Sequence, residues 1–373
     1  MIDLKLPKDW EKRKIGDIAA EISERNDADD DLPVLSCTKH DGLVDSLKYF
    51  KRRVFSEDIS KYKVVPRNCF AYATNHIEEG SIGYQDTYDR ALISPIYTVF
   101  RTKPEMDDAY LFYLFKTELY RHIFEINTSA SVDRRGSLRW KEFSQIAVPV
   151  PPFIEQEKIA EILLAWDRAI ETMDKLIDAK TRLKKGLMQK LLTGKVRFKE
   201  FKEKWRHLKL ADVCEIQYGK SQKGLPSGKY KIYGTGGVVG FTSAYLYDKP
   251  SVLIGRKGTI DTPIYVDEPF YPIDTIFYVK PKNDVSPKFL YYQLGMKNLK
   301  RYNEASGVPS LNRETLYRIG INMTSEKEQE LIADILSAVD RELECLSGIQ
   351  AKMKSQKNGL MQKLLTGKIR VKI

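Results

Sequence analysis

The chain has 373 residues, with 62 Lys and Arg against 51 Asp and Glu, and a formal net charge of +11. This length allows two domains with ordinary cores, and the basic balance favours a polyanion as partner, nucleic acid first and a membrane surface second. The four cysteines form no disulfide framework, the first five residues do not resemble a signal peptide, and no apolar run approaches the ~20 residues of a membrane span. A cytoplasmic protein is therefore expected.

Residues 1–150 are predicted to form a first α/β domain. It begins with Trp10 and a Lys-Ile-Gly-Asp-Ile segment at 14–18, and it contains a predicted strand at 96–100 and a helical stretch at 110–114. Its middle is rich in loops that carry basic and polar residues.

Residues 151–194 are predicted to form a long helix. Apolar residues recur in steps of three and four, which describes one stripe, the seam of a coiled coil. Pro151 and Pro152 mark the start, and Gly194 stands where a C-terminal cap belongs. Gly186 lies inside the pattern, so a bend or an early end is expected there.

Residues 195–324 are predicted to form a second α/β domain on the same frame. Trp205 is followed by Lys-Leu-Ala-Asp-Val at 209–213, a strand is expected at 275–279 and a helical stretch at 289–294. Residues 252–259 read as a strand, a Gly-flanked basic turn and a second strand. Between such landmarks the two domains diverge.

Residues 325–373 are predicted to form a second long helix, opened by a capping box of Ser325 and Glu328. Its segment 359–368 repeats 186–195 letter for letter, with Gly359 and Gly367 in the places of Gly186 and Gly194. Because a folded domain joins the end of one helix to the start of the next, the matching stripes are expected to pack as an antiparallel pair. The predicted fold is α+β: two α/β domains separated by two long helices forming an antiparallel coiled coil, with a pseudo-two-fold internal repeat.

Charge is concentrated near the helix ends. Residues 180–209 contain twelve Lys or Arg and two acidic residues, and residues 352–373 contain seven basic residues and no acidic ones. Such clusters favour phosphate contacts.

Catalytic motifs are weak. The string at 219–221 resembles the end of a phosphate-binding loop, but Cys214 stands where that loop needs Gly. Val239 interrupts a dinucleotide-like glycine pattern, and Val150 lacks the polar side chain of an amino-methyltransferase motif. Cys37, His40, Cys69 and His76 match no common zinc module. We therefore expect a binding protein with no catalytic and no metal site.

DNA contacts need basic groups for phosphates and Arg, Lys, Asn, Gln, Ser or Thr on loops that reach base edges. Residues of these types, together with two histidines, lie on the divergent loops of both domains. In the first domain the candidates are Lys39, His40, Arg52, Arg53, Asn75, His76, Arg134, Arg135 and Arg139. In the second they are Lys220, Gln222, Lys223, Thr235, Arg256, Lys257, Thr259, Asn312 and Arg313.

The repeated Gly-Leu-Met-Gln-Lys-Leu-Leu-Thr-Gly-Lys, the Pro-Pro-x-x-Glu-Gln-x-x-Ile-Ala helix start, and the strings at 232–237 and 255–258 resemble the specificity subunit of type I restriction–modification systems. The resemblance covers the whole chain. It implies two target-recognition domains that each read one half of a split double-stranded DNA site, with the helices setting the spacer.

The resemblance also implies partners. Two methyltransferase subunits would dock on the helices and flanking surfaces and carry S-adenosylmethionine, and a motor–nuclease subunit would bring ATP and magnesium. No cofactor is expected on this chain. Two alternatives stay open: a coiled-coil adaptor with incidental charge, whose binding would be insensitive to salt, and an enzyme, which turnover by the purified chain would reveal.

Overall fold

The computed structural model describes residues 6–26, 31–39, 41–128 and 136–372. The chain divides into two compact units, unit 1 (Met1–Thr172 with Gln350–Ile373) and unit 2 (Met173–Ile349). Each unit holds one α/β domain and part of each of two long helices, so the predicted α+β fold with an internal repeat is confirmed.

Unit 1 is built around an antiparallel four-stranded sheet of order β2-β9-β6-β7, with three further antiparallel pairs, β1-β10, β3-β4 and β5-β8. Its strands are β1 (Glu11–Lys14), β2 (Ala19–Ile22), β3 (Leu35–Thr38), β4 (Gly42–Asp45), β5 (Lys63–Pro66), β6 (Cys69–Ala73), β7 (Ile82–Gln85), β8 (Arg90–Ile93), β9 (Tyr97–Thr102) and β10 (Ala147–Val150). Its short helices are α1 (Ile15–Ile18), α2 (Ser46–Phe50), α3 (Asp108–Phe115), α4 (Glu118–Asn127) and α5 (Trp140–Phe143). The first long helix, α6 (Phe153–Leu191), starts in unit 1.

Unit 2 repeats this frame, with a sheet of order β12-β18-β15-β16 and a β11-β19 pair; it adds a three-stranded sheet, β14-β13-β17. Its strands are β11 (Arg206–Lys209), β12 (Cys214–Tyr218), β13 (Tyr230–Gly234), β14 (Gly237–Thr242), β15 (Ser251–Gly255), β16 (Ile264–Val266), β17 (Phe270–Pro272), β18 (Ile276–Pro281) and β19 (Gly320–Met323). Its short helices are α7 (Leu210–Val213), α8 (Pro287–Gly295) and α9 (Arg313–Tyr317), and the second long helix is α10 (Glu326–Leu364). The predicted strands and helical stretches are confirmed as β9, β18, α3 and α8. The second strand after the basic turn, β16, begins only at Ile264.

The long helices take part in both cores, at opposite ends. In unit 1 the core includes Ile159 and Leu163 from the start of α6 and Leu364 from the end of α10. In unit 2 it includes Leu191 from the end of α6 and Ile332 from the start of α10. The start of each helix therefore shares a core with the end of the other, as antiparallel pairing requires.

Matched ion pairs join the helices within each unit. In unit 1, Lys357 of α10 bonds Asp167 of α6, which also accepts from the Tyr113 hydroxyl. In unit 2, Lys184 of α6 pairs with Asp340 of α10, which accepts from the Tyr292 hydroxyl. We call these Asp–Tyr–Lys sets the helix clamps. Seventeen residues separate clamp positions 167 and 184 on α6 and also 340 and 357 on α10, so the clamps are equally spaced in sequence along the two helices.

A buried carboxylate secures the start of each long helix. In unit 1, Glu155 is fully buried, accepts from the Trp10 indole N–H (2.9 Å) and receives the Arg370 guanidinium (2.6 and 2.7 Å). In unit 2, Glu328 is fully buried and receives the Arg197 guanidinium (3.0 and 2.7 Å). In both units the arginine comes from the segment that follows a long helix.

Glycine caps shape those segments. Gly194 and Gly367 adopt φ values of +69° and +71°, which favour glycine, as the predicted caps require. A Cβ at Gly194 would also lie 3.0 Å from the Trp205 ring, and one at Gly367 would lie 3.4 Å from the Trp10 ring. The caps therefore fix both the end of each helix and the packing of each tryptophan.

Two expectations about the helices were wrong: an early end at the inner glycine, and a capping box at the start of α10. Both helices continue through Gly186 and Gly359, because a helical glycine costs only about 1 kcal/mol. The capping box does not form: the Glu328 carboxylate binds Arg197 instead, and the Ser325 hydroxyl has no hydrogen-bond partner among the described residues.

The apolar stripe is also incompletely covered, since Leu176 and Leu183 are 41% and 49% exposed. A straight helix drifts by about 20° per heptad from a strict seven-residue seam, so one face cannot stay covered throughout. The coiled coil stays a prediction. Among the described residues, no helix is both long and apolar enough to span a bilayer.

Candidate nucleic-acid interface

The sharpest cluster of predicted residues lies where the central strand β15 of unit 2 ends. The turn at 256–258, the strand-end turn of unit 2, is held by backbone bonds: the Arg256 N–H donates to Thr275 O (2.8 Å) and the Leu311 N–H donates to Arg256 O (2.9 Å). Gly258 has a φ of +91°, and a Cβ on Gly255 would lie 1.9 Å from Thr259 O. The flanking glycines are therefore required by the geometry of the turn.

An exposed tyrosine joins two of the predicted arginines. The guanidinium carbons of Arg256 and Arg313 lie 5.2 and 5.1 Å from the centre of the Tyr218 ring. Cation–π contacts of this kind orient a charged group without neutralising it. Tyr218 is 44% exposed, and its ring also contacts buried Phe277 at 5.1 Å between centroids.

Tyr218, Arg256 and Phe277 line a cavity of about 250 Å³ in unit 2, and Arg313 follows the lining residue Asn312 in the chain. Its lining residues are Tyr218, Arg256, Lys257, Phe277, Glu304, Ser310, Leu311 and Asn312. The Asn312 side chain caps α9 by accepting from the Glu314 N–H (3.0 Å), and Glu304 accepts from the Thr315 hydroxyl (2.5 Å). The cavity therefore presents cationic donors beside one carboxylate acceptor.

The other predicted residues of unit 2 divide into two sets. Thr235 and Thr259 lie beside the strand-end turn, with the Thr235 hydroxyl 3.4 Å from where a Cβ on Gly258 would stand. Lys220, Gln222 and Lys223 are exposed on the loop that follows Tyr218. The structure therefore brings Thr235, Arg256, Lys257, Thr259, Asn312 and Arg313 together at the strand-end turn, and the three loop residues do not line the cavity there.

Unit 1 has a turn at the equivalent place, with different side chains and one backbone hydrogen bond in common. After β6, the strand-end turn of unit 1 is residues 74–76, and the Leu138 N–H donates to Thr74 O (2.7 Å) as Leu311 does to Arg256. Asn75 is half-buried, and Arg139 is exposed at the position of Asn312. Thr74, which was not predicted, and Arg139, which was, line one cavity. Asn75 and Arg139 are the predicted residues of unit 1 that stand at the positions of Lys257 and Asn312 in the unit 2 cluster.

The remaining candidates of unit 1 lie elsewhere. Lys39 and Arg52 are exposed, and Arg53 is engaged locally with Phe55 and with the carbonyls of Ser56 and Glu57. His40, Arg134 and Arg135 lie outside the described residues.

Within the part of the chain that the structure describes, possible metal ligands do not form a convincing centre. Burial raises the pKa of the Cys37 thiol to about 12 and also raises that of Cys69, which disfavours the thiolate form that binds a metal. His76 lies with Glu78 and Glu79 within 4.8 Å, but His76 and Glu79 are exposed, and their contact is an ordinary i,i+3 pair.

Sequence reasoning missed the residues that complete each cluster, namely Tyr218 and Glu304 in unit 2 and Thr74 and Trp140 in unit 1. Tyr218 is an aromatic residue at the exposed end of a strand, followed directly by a glycine. That glycine is required, because a Cβ on Gly219 would lie 2.0 Å from Ile273 O. The Tyr-Gly pair at the end of a strand was the sequence feature that could have pointed to Tyr218 as a site residue.

Comparison with known proteins identifies the family. The chain matches the model of the type I restriction modification DNA specificity domain twice, over residues 7–180 and 202–355. The type I restriction enzyme MjaVIII specificity subunit of Methanocaldococcus jannaschii is 28% identical over 425 residues, with 100% of this chain and 96% of that relative covered.

Two solved structures share the fold. The S subunit of a type I restriction–modification system from M. genitalium superposes with a TM-score of 0.63 at 16% identity, covering 98% of both chains. A chain from a structural study of complex assembly in the type I R-M system superposes with a TM-score of 0.59 at 15% identity, covering 98% of this chain and 100% of the other. The resemblance seen in the sequence is thus confirmed. The chain belongs to the type I restriction modification DNA specificity domain family, the family of type I restriction enzyme specificity subunits.

Proposed function

We propose that this chain is the DNA reader of a type I restriction–modification complex, with unit 1 reading one half of a split site and unit 2 reading the other. The observation that carries the proposal is the strand-end turn. Both units hold it with the same backbone bond, from Leu138 to Thr74 and from Leu311 to Arg256, yet present different side chains on it. One frame with two sets of side chains is what two different half-site sequences require.

The helix pair supports a role in spacing. Two clamps equally spaced along both helices resist sliding of α6 along α10. Each helix has 39 residues, about 58 Å, which spans about 17 base pairs. We infer that this length sets the unread spacer between the half-sites.

The chemistry is assigned to partners. Two methyltransferase subunits would dock on the helices and flanking surfaces and bind S-adenosylmethionine, and a motor–nuclease subunit would supply ATP- and magnesium-dependent cleavage. The chain itself would be non-catalytic and would act in the cytoplasm. The solved relative from a study of complex assembly supports such partners.

Methylome sequencing after co-expression with the cognate methyltransferase subunit tests the proposal. The expected result is one bipartite adenine-methylated motif with a fixed spacer. Absence of any such motif in cells that contain the assembled complex would refute it.

Salt dependence separates DNA reading from the adaptor alternative. Phosphate contacts release counterions, so the affinity of the complex for its duplex should fall by orders of magnitude between about 50 and 200 mM salt. Binding insensitive to salt would favour the adaptor.

A further inference from the structure

The ring of Tyr218 contacts the guanidinium groups of two arginines of unit 2 and holds them close to each other. Because the guanidinium carbons of Arg256 and Arg313 lie 5.2 and 5.1 Å from the same ring centre, they are no more than about 10 Å apart. We propose that this pair reads two G·C base pairs within about three steps of each other in the half-site of unit 2. The inference rests on the DNA-reading function proposed above and names the bases that it reads.

The donor chemistry favours guanine. An arginine fork bonds guanine O6 and N7 together, the commonest specific contact in the major groove. A guanidinium carries five N–H donors, and within the described residues Arg256 makes one side-chain hydrogen bond, to Asp274 O (3.1 Å). The Arg313 Nε is buried without a hydrogen-bond partner, 3.6 Å from Glu314, but the side chain is 36% exposed, and its two terminal nitrogens make no hydrogen bond to the described residues. Both forks therefore retain donors for a ligand.

The carboxylate in the same cavity argues for a base edge rather than a phosphate. Glu304 lines the cavity with Arg256 and Lys257, and its carboxylate would repel a phosphate bound in the same cavity. The same group accepts a hydrogen bond from cytosine N4, the partner of the guanine that an arginine reads. Donors beside an acceptor match the major-groove edge of a G·C pair.

The distance between the two base pairs read is limited by the contact of both arginines with the Tyr218 ring. Successive base pairs rise by 3.4 Å, so forks no more than about 10 Å apart reach pairs within about three steps. Tyr218 acts as a positioning residue, since it holds both cations in place before DNA arrives and lowers the ordering cost of each contact.

Unit 1 has no such group at the equivalent positions. Ser23 stands where Tyr218 does, Thr74 where Arg256 does, and Trp140 where Arg313 does; Trp140 packs on Phe100 in the core of unit 1. The paired-guanine signature is therefore assigned to one half-site only.

The test starts from the motif of the wild-type complex with its methyltransferase subunits. Duplexes that replace one G·C pair by A·T are then compared by fluorescence anisotropy. The affinity of the wild-type complex should fall about tenfold or more when the G·C pair at either of the two positions is replaced. Arg256→Ala should abolish the preference for G·C over A·T at one of these two positions, and Arg313→Ala should abolish it at the other. Methylation should remain equally specific at the half-site read by unit 1, which shows that each variant folds and assembles.

Conservative variants keep the test decisive if an alanine variant fails to assemble. Arg256→Lys keeps the charge but loses the fork, so it should lose the same discrimination. Tyr218→Leu should weaken discrimination at both positions, and Tyr218→Phe should restore it by restoring the ring. Arg318→Ala, at the exposed end of α9, is the matched control and should behave as wild type.

The failures are distinguishable. Absence of a bipartite motif refutes the proposed function itself. A bipartite motif with neither half containing two G·C pairs within three steps refutes the inference alone. So does an equal loss at both half-sites in Arg256→Ala that Arg256→Lys restores, which would mark a general phosphate contact.

Discussion

The strand-end turn carries Thr74, Asn75 and His76 in unit 1, and Arg256, Lys257 and Gly258 in unit 2. The backbone bond that holds the turn is the same in both, as are the helix clamp and the buried carboxylate at the start of the long helix. The repeat therefore preserves what fixes the frame and changes what faces a ligand. Substitutions in the shared contacts should therefore affect both units alike, whereas substitutions in a strand-end turn should affect only the unit that carries it.

The largest effect is expected from changing the distance between the clamps. Deletion of residues 173–179 alone leaves ten residues between the clamps on α6 and seventeen on α10, so one register can no longer satisfy both; we expect loss of assembly and of methylation. Deleting residues 173–179 together with 345–351 restores equal spacing. The double deletion should assemble with a spacer shorter by about three base pairs, since seven helical residues span about 10 Å.

Methylome sequencing of both deletions measures this. An unchanged spacer in an assembled double deletion would contradict the role of the helices as a spacer.

A pH-dependent effect is expected at the buried carboxylate of unit 2. Burial alone would raise the pKa of Glu328, but hydrogen bonds from Arg197 and Thr324 outweigh it, so the pKa lies below its usual value near 4.5. A lowered folded-state pKa stabilises the protein above pH 4.5, and this contribution is lost as the pH falls through the folded-state value. Glu328→Gln should cost about 2 kcal/mol at pH 7, or about 5 °C in Tm, and less near pH 3.

Thermal unfolding at both pH values checks the Glu328 prediction, with exposed Glu330→Gln as the matched control. If the Tm of Glu328→Gln lies below that of the wild type by the same amount at pH 7 and pH 3, the ion pair is not the origin of the loss of stability.

A smaller and equal effect is expected from the two helix clamps. Lys184→Met and Lys357→Met remove corresponding ion pairs whose lysines are largely buried, so each should cost roughly 1 kcal/mol. Lys185→Met, at an exposed neighbour, should change little. Chemical denaturation measures the free energy of unfolding of the three variants. A loss of stability in only one of the two clamp variants would show that the two clamps do not contribute equally.

The smallest effect is expected at the end of α8. Gly295 stands where unit 1 has Lys116, and a Cβ there would meet only Met188 Cε, at an ordinary 3.9 Å. Gly295→Ala should stabilise the protein by about 0.5 kcal/mol, because alanine loses less backbone freedom. Reduced stability in denaturant unfolding would contradict this.

The sequence predicted the frame better than the site. The identical decapeptides, the apolar spacing and the cap glycines are local signals that predicted both long helices, and the glycines flanking Arg256 and Lys257 predicted the strand-end turn of unit 2. The missed features are long-range. Tyr218 meets Arg256 and Arg313 only because β12, β15 and the start of α9 converge, and Glu328 leaves its expected cap because Arg197 reaches it from 131 residues away.

The most direct measurement compares two double variants by methylome sequencing: Asn75→Ala with Arg139→Ala in unit 1, and Arg256→Ala with Arg313→Ala in unit 2. If each unit reads its own half-site, the first should relax one half of the motif, the second should relax the other, and the spacer should stay unchanged in both. Relaxation of the same half by both variants, or of both halves by either one, would contradict the assignment of one half-site to each unit.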